Sequence, residues 1–285
     1  MQKLRISAIS FLNTAPLMWD FEHSQSASRD LEAEFEISYT VPSACADSLR
    51  RADADIGIIP AITYQTIPDL VVIPEIAIAS HGPVRSILVL SKKPLAEIRT
   101  LAADTSSRTS VVLAKILFQK WWQPDSTGPE FIAVDPDPAK MLQRCDAALL
   151  IGDPALTADR SKYSVSVDLG EEWTQRTGKP FVYAFWAVRR AALVNHPLAD
   201  DLAGIFQRSR DHGLAEVNKI AKEWAPRLGI DAAAIEDYLL NNMRYGFDPQ
   251  QLAGLNLFFS LAKEVGAIEE VRNVNFIVRS VSCSQ

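Results

Sequence analysis

Cysteine is scarce in this chain: three residues in 285, at positions 45, 145 and 283, odd in number and in no CxxC pair. That excludes a disulfide framework and the common zinc-site spacings, and it suits thiols kept reduced. Histidine is limited to four residues, and they form no His-rich metal site. Basic residues do not dominate either. Twenty-nine Lys and Arg stand against 35 Asp and Glu, a formal charge of −6, with no Lys/Arg run, which argues against a nucleic-acid partner. Long apolar runs are missing too. A stretch such as "AALLIG" (147–152) is far too short to span a bilayer. The opening "MQKLRISAIS" has neither an apolar core nor a small-residue cleavage site of a leader. The expectation is a cytoplasmic protein with no membrane partner. Walker spacing and GxGxxG are likewise absent, which disfavours nucleotides.

What is present is alternation. "LRISAIS" (4–10), "FEISYTV" (35–41), "ADIGIIP" (54–60), "LVVIPEIAIAS" (70–80) and "RSILVLSKKP" (85–94) read as strands. Between them, "TAPLMWDFEH" (14–23) and "PSACADSLRRAD" (42–53) read as helices with proline in the first turn. A second unit repeats the pattern through "IRTLAAD" (98–104), a helix over 106–123, "EFIAVD" (130–135), a helix over 136–144 and "CDAALLIGDPAL" (145–156), and "KPFVYAFWAVRR" (179–190) reads as a further strand. From about 191 the pattern turns helical, with a break near Gly213 and Asp and Gly punctuating 231–246 and 248–266.

Such alternation predicts an α/β fold with a largely parallel sheet. The absence of a linker predicts two lobes joined by direct crossings near 85–94 and 180–190, with a ligand cleft between them. Residues 1–90 and 191–285 then form lobe 1, and 91–190 form lobe 2.

Several turns fall on the ligand side of such sheets. In "SFLNTAPL" (10–17), Asn13 and Thr14 sit between a strand and a helix, either as ligand contacts or as caps. "DIGIIPAITYQ" (55–65) offers backbone N–H groups after Pro60 and Ala61. "SHGPVRSILVLS" (80–91) carries His81, Arg85 and Ser86, with the Ser86 hydroxyl at the mouth of a crossing strand. His81 is either a base near neutral pH or an ordinary turn residue. "DTSSRTS" (104–110) places Thr105, Ser106, Ser107, Thr109 and Ser110 with Arg108 at one helix start. A helix start leaves four N–H groups unpaired and carries the positive end of the macrodipole, so small hydroxyl residues there suit a carboxylate or phosphate. Arg108 either binds that anion or braces the lobe. In "LLIGDPAL" (149–156), Gly152 precedes Asp153, which reads as a helix cap or as the acidic group of the second unit. The aromatics Trp173, Tyr183, Phe185 and Trp186 read as core, with one face available to a flat ring. Together these describe a cleft for a small, multiply anionic organic molecule.

Taken in order, "ISFLNTAPL", "ADIGIIPA", "GPVRSILVLS", "DTSSRTSVVLAKIL", "AALLIGDPAL", "EEWTQRTGKPFVYAFWAVR" and "GLNLFFSLAKEVGAI" resemble the chorismate dehydratase family of the futalosine route to menaquinone. The motifs cover nearly the whole chain. The resemblance implies a periplasmic-binding-protein type II-like fold used as a cytoplasmic hydro-lyase, with no metal or organic cofactor. The implied substrate is chorismate, a dianion, which loses water to give 3-[(1-carboxyvinyl)oxy]benzoate. By the same resemblance, Asn13 and Ser86 are the catalytic positions that contact substrate. Pro60, Ala61, Arg85, Ser106, Ser107, Arg108, Thr109, Ser110, Gly152 and Asp153 are expected around it. The base is expected to be the substrate's own enolpyruvyl carboxylate, with Asp153 and His81 as fallbacks. Alternatives are a same-fold anion-binding protein, a same-fold enzyme for another aromatic acid such as a dihydroxynaphthoate synthase, and the ligand-binding domain of a regulator.

Overall fold

The computed structural model describes residues 3–23, 30–104 and 106–277. The chain opens with β1 (Leu4–Ile9), a 3₁₀ turn over Leu12–Thr14, and α1 (Ala15–Glu22). α2 (Leu31–Glu34), β2 (Phe35–Thr40), α3 (Pro42–Arg51), β3 (Ile56–Pro60), a 3₁₀ turn (Ala61–Thr66) and β4 (Leu70–Ser80) follow. The next block runs β5 (Ile87–Ser91), β6 (Thr100–Ala103), α4 (Arg108–Leu117), β7 (Glu130–Ala133) and α5 (Pro138–Arg144). It continues through β8 (Ala147–Ile151), α6 (Asp153–Leu156), β9 (Val165–Asp168) and α7 (Leu169–Thr177). The last block holds β10 (Phe181–Arg189), α8 (Arg190–Leu193), α9 (Leu202–Ala215), α10 (Val217–Leu228) and α11 (Ala232–Asp237). A π-helical turn (Tyr238–Asn242), β11 (Met243–Arg244) and α12 (Pro249–Glu264) complete it.

The strands form two sheets. The first has the order β11-β4-β10-β3-β1-β2 and the second β7-β6-β8-β5-β9. Two expectations are corrected here. The strand over 181–189 was expected in lobe 2, but β10 pairs with β3 and β4 and is central to the first sheet. Conversely β5, with residues 87–90, belongs to the second. The chain therefore crosses between Ser80 and Ile87 and again between Asp168 and Phe181. A strand's own residues report its burial, not its hydrogen-bonding neighbour, so the pattern placed β10 correctly as a strand and wrongly as to sheet. The sheets are also mixed rather than largely parallel. β1 runs parallel to β2 and β3, while β10 is antiparallel to β3 and β4. In the second sheet, β6 is parallel to β7 and β8, and β5 is antiparallel to β8 and β9. The strand that enters each lobe from the other runs against both of its neighbours.

β10 is buried on both faces from Phe181 to Val188 because helices cover it on either side. Phe181 meets Trp173 of α7 and Phe258 of α12, while Trp186 meets Phe206 of α9. Each such side chain contributes about 1.5–3 kcal/mol of burial. α9 packs on α1, so the helical end of the chain returns to the first lobe. The break expected near Gly213 comes at Glu216, between α9 and α10. Gly213 itself lies inside α9, where a Cβ would lie 2.1 Å from the Pro16 carbonyl oxygen. β9 and α7 were not read from the sequence. α7 is bracketed by its cap Asp168 and by Gly178 at φ 67°, signals that were present. Among the described residues, no helix is long and apolar enough to cross a membrane.

Candidate active site

A small cavity lies between the sheets. The first lobe supplies Phe11, Asn13, Pro42, Pro60 and Tyr183, and the second supplies Ser86, Ser107 and Gly152. Ile9, Ile78, Val84, Ile87 and Ile151 make its wall largely apolar. Each polar group arrives from a strand end. Asn13 follows β1 in the 3₁₀ turn, Pro60 ends β3, Ser86 precedes β5 and Gly152 follows β8. Asn13 lines the cavity, and its Oδ1 is buried with no hydrogen-bond partner among the described residues. Thr14, in contrast, is satisfied by the chain itself, donating from Oγ1 to the Ile9 carbonyl at 2.6 Å.

Ser86 is almost fully buried, and its Oγ accepts a hydrogen bond from the Tyr238 hydroxyl at 2.9 Å. Its position is set by the crossing segment. Arg85 has φ 63°, a left-handed backbone, and Asp168 holds that strained turn. The Asp168 carboxylate accepts from the backbone N–H of Val84 (3.0 Å) and Arg85 (2.6 Å) while also capping α7 through Gly170 and Glu171. The Arg85 guanidinium turns away from the cavity, donating to Asp237 at 3.1 Å. His81 is exposed on the turn before it and does not line the cavity, which removes it as a candidate base.

The hydroxyl-rich helix start divides into two jobs. Most of it knits the lobes together. Ser106 accepts from the Ser43 N–H at 2.8 Å through its carbonyl, and Thr109 Oγ1 accepts from the Ile62 N–H at 3.2 Å. Arg108 donates to both carboxylate oxygens of Asp47 at 3.1 and 2.9 Å, so of its two readings the structure supports the brace. The Ile62 N–H expected to face a ligand after Pro60 and Ala61 is thereby taken, and Ala61 itself is wholly buried. What remains for a ligand is Ser107 with the start of α4. Among the described residues no side chain caps that helix, and Ser107 Oγ pairs with Ser110 Oγ at 3.1 Å. The Ser106 hydroxyl is buried and unpartnered among the described residues. Thr105 lies outside the described residues.

At the opposite rim Gly152 has φ 68°, and a Cβ there would lie 2.9 Å from the Phe11 ring. Asp153 does not cap its own helix. Its carboxyl accepts from the Leu12 N–H across the cleft at 3.0 Å. Burial pushes its pKa up to about 6, against the partial opposing effect of that hydrogen bond. Tyr238 and Tyr183 are held protonated by burial, and the Tyr183 hydroxyl lies 2.8 Å from Ser80 Oγ. Tyr238 and Phe11 were not expected at the site. Phe11 lay within a motif already singled out, whereas Tyr238 sits in a helix that the sequence shows only as amphipathic.

The chain matches the family model described as menaquinone biosynthesis over residues 4–264. A chorismate dehydratase of Thermus thermophilus is 27% identical over 241 residues, 79% of this chain and 85% of the relative. A crystal structure of an Archaeoglobus fulgidus protein superposes with a TM-score of 0.72 at 18% identity, covering 93% of this chain and 98% of that one. The periplasmic aliphatic sulphonate-binding protein of Escherichia coli does so with a TM-score of 0.64 at 17% identity, covering 95% and 94%. The architecture is thus that of the periplasmic binding proteins.

Proposed function

This chain belongs to the menaquinone biosynthesis family, and from that premise we propose that it is a chorismate dehydratase, a cytoplasmic hydro-lyase. The observation that carries the reading is the cavity. An apolar slot for a ring is bordered by the unpartnered Asn13 amide oxygen, the Ser86 hydroxyl and an uncapped helix start. Its chemistry fits a flat dianion without asking for a metal.

The reaction needs a proton removed from C3 of chorismate and hydroxide expelled from C4. The C3–H electrons flow through the ring toward the ring carboxylate, and the start of α4 at Ser107 and Ser110 stabilises charge developing there. The enolpyruvyl carboxylate lies near C3 in the same molecule and takes the proton. Asn13 and Ser86 orient the substrate, with Ser86 donating to the departing hydroxyl. The proton can pass on to that hydroxyl, so one water leaves and no protein group changes charge. Aromatisation supplies the driving force, and holding the carboxylate against C3 supplies the proximity.

Purified protein mixed with chorismate, followed by mass and ultraviolet spectrum, tests this. The expected product is lighter by one water and aromatic. Ser86→Ala is expected to lower kcat by about 100-fold, as loss of a donor to developing charge does elsewhere. Asn13→Ala is expected to impair both kcat and KM. Binding without turnover would point instead to an anion-binding protein. Loss of turnover in Asp153→Asn with chorismate binding intact would make Asp153 the base in place of the substrate carboxylate.

A further inference from the structure

The crossing segment that carries Ser86 is gripped from outside the cavity by one π-helical turn. Asp237, the last residue of α11, accepts from the Arg85 guanidinium at 3.1 Å. Tyr238 donates to Ser86 Oγ at 2.9 Å. Asn242 donates from Nδ2 to the Pro83 carbonyl at 3.0 Å and accepts from Arg85 at 3.4 Å. A regular α-helix turns once in 3.6 residues, and the wider π turn over Tyr238–Asn242 brings residues 237, 238 and 242 onto three successive points of the same strap.

The Tyr238 contact also fixes a direction. Its hydroxyl is buried and remains protonated, and it donates to Ser86 Oγ. Ser86 Oγ has one proton to give. With Tyr238 as donor, that proton is left for the Val84 carbonyl, a long contact at 3.4 Å, or for an acceptor in the cavity that Ser86 lines.

We propose that Tyr238 is a positioning residue for the reaction: by donating to Ser86 it turns the Ser86 hydroxyl into a committed donor aimed at the departing C4 hydroxyl of the substrate. The inference rests on the chorismate reading above. Tyr238 itself does not line the cavity and does not touch substrate.

A double-mutant cycle tests it. Tyr238→Phe removes one oxygen and keeps the ring, and it is expected to lower kcat by about tenfold with KM changed less than about twofold, a fraction of the effect of losing the Ser86 donor outright. In the Ser86→Ala background the same change is expected to have no further effect on kcat, because its target is gone. A merely structural role predicts that the two losses multiply. Wild-type kcat in Tyr238→Phe, or full additivity in the double variant, overturns the positioning role while leaving the chorismate reading intact. Failure of the wild-type protein to turn over chorismate overturns both. Should Tyr238→Phe be too unstable to assay, Asn242→Ala loosens the same strap at Pro83; retained kcat there counts against the proposal, and a kcat loss with KM preserved supports it.

Discussion

Asp168 shows how one side chain can hold a site it never touches. It is buried, and its carboxylate accepts four backbone N–H groups, two from the strap before Ser86 and two from the first turn of α7. Asp168→Ala leaves all four without that acceptor, two of them beside the left-handed Arg85. Loss of the cap and of buried acceptors is expected to destabilise the protein by about 2–4 kcal/mol. Asp168→Asn, which keeps an acceptor oxygen, is expected to lose less. Urea denaturation of the two variants checks the order. At this scale the sequence was informative about residue type and uninformative about partner. Arg108 and Asp153 were both legible as polar groups at helix starts. That Arg108 reaches Asp47 and Asp153 reaches the Leu12 N–H depends on how two lobes meet, which no local pattern encodes.

Among elements, the junction of β8 and α6 meets the first 3₁₀ turn across the cavity. Gly152 permits it twice over, through a positive φ and through the space its missing Cβ leaves to Phe11. Gly152→Ala is expected to cost about 1–3 kcal/mol from backbone strain and to push the Phe11 ring away. Weaker substrate binding should accompany it, read as a raised KM, and a wild-type KM together with a wild-type melting temperature would contradict this account of the contact. Most elements were legible, since strands such as β3 and β8 are short apolar runs closed by Pro or Gly and α3 opens on proline. β9 is only four residues long and carries little strand signal, whereas α7 has its ends marked by Asp168 and Gly178. The sheet membership of β10 was not legible in principle, because both sheets would bury an apolar strand equally well.

For the whole molecule, the lobes are held together by hydrogen bonds that include a titratable one. Burial raises the Asp153 carboxyl pKa to about 6 from 3.8, so the folded protein holds that proton to a higher pH than the unfolded chain does. A carboxyl whose folded pKa is raised contributes stability that is fully present below the unfolded value near 4 and is lost as pH rises through about 6. The shift corresponds to no more than about 3 kcal/mol. Asp153→Asn keeps an oxygen that can accept from the Leu12 N–H and carries no charge. The variant is therefore expected to match the wild type in stability below pH 4 and to exceed it above pH 6, and identical stability of the two proteins across that range would argue that the carboxyl is not shifted.

The most direct test is what becomes of chorismate, because the ring can aromatise by two routes. Loss of pyruvate would give 4-hydroxybenzoate, whereas loss of water keeps the enolpyruvyl ether on a ring substituted at positions 1 and 3. Proton magnetic resonance of a reaction containing only protein and chorismate separates them. The expected result is a 1,3-disubstituted aromatic pattern with both vinyl protons retained and no pyruvate, formed far more slowly by Ser86→Ala. Pyruvate with 4-hydroxybenzoate, or chorismate left unchanged beside a folded protein, would contradict it.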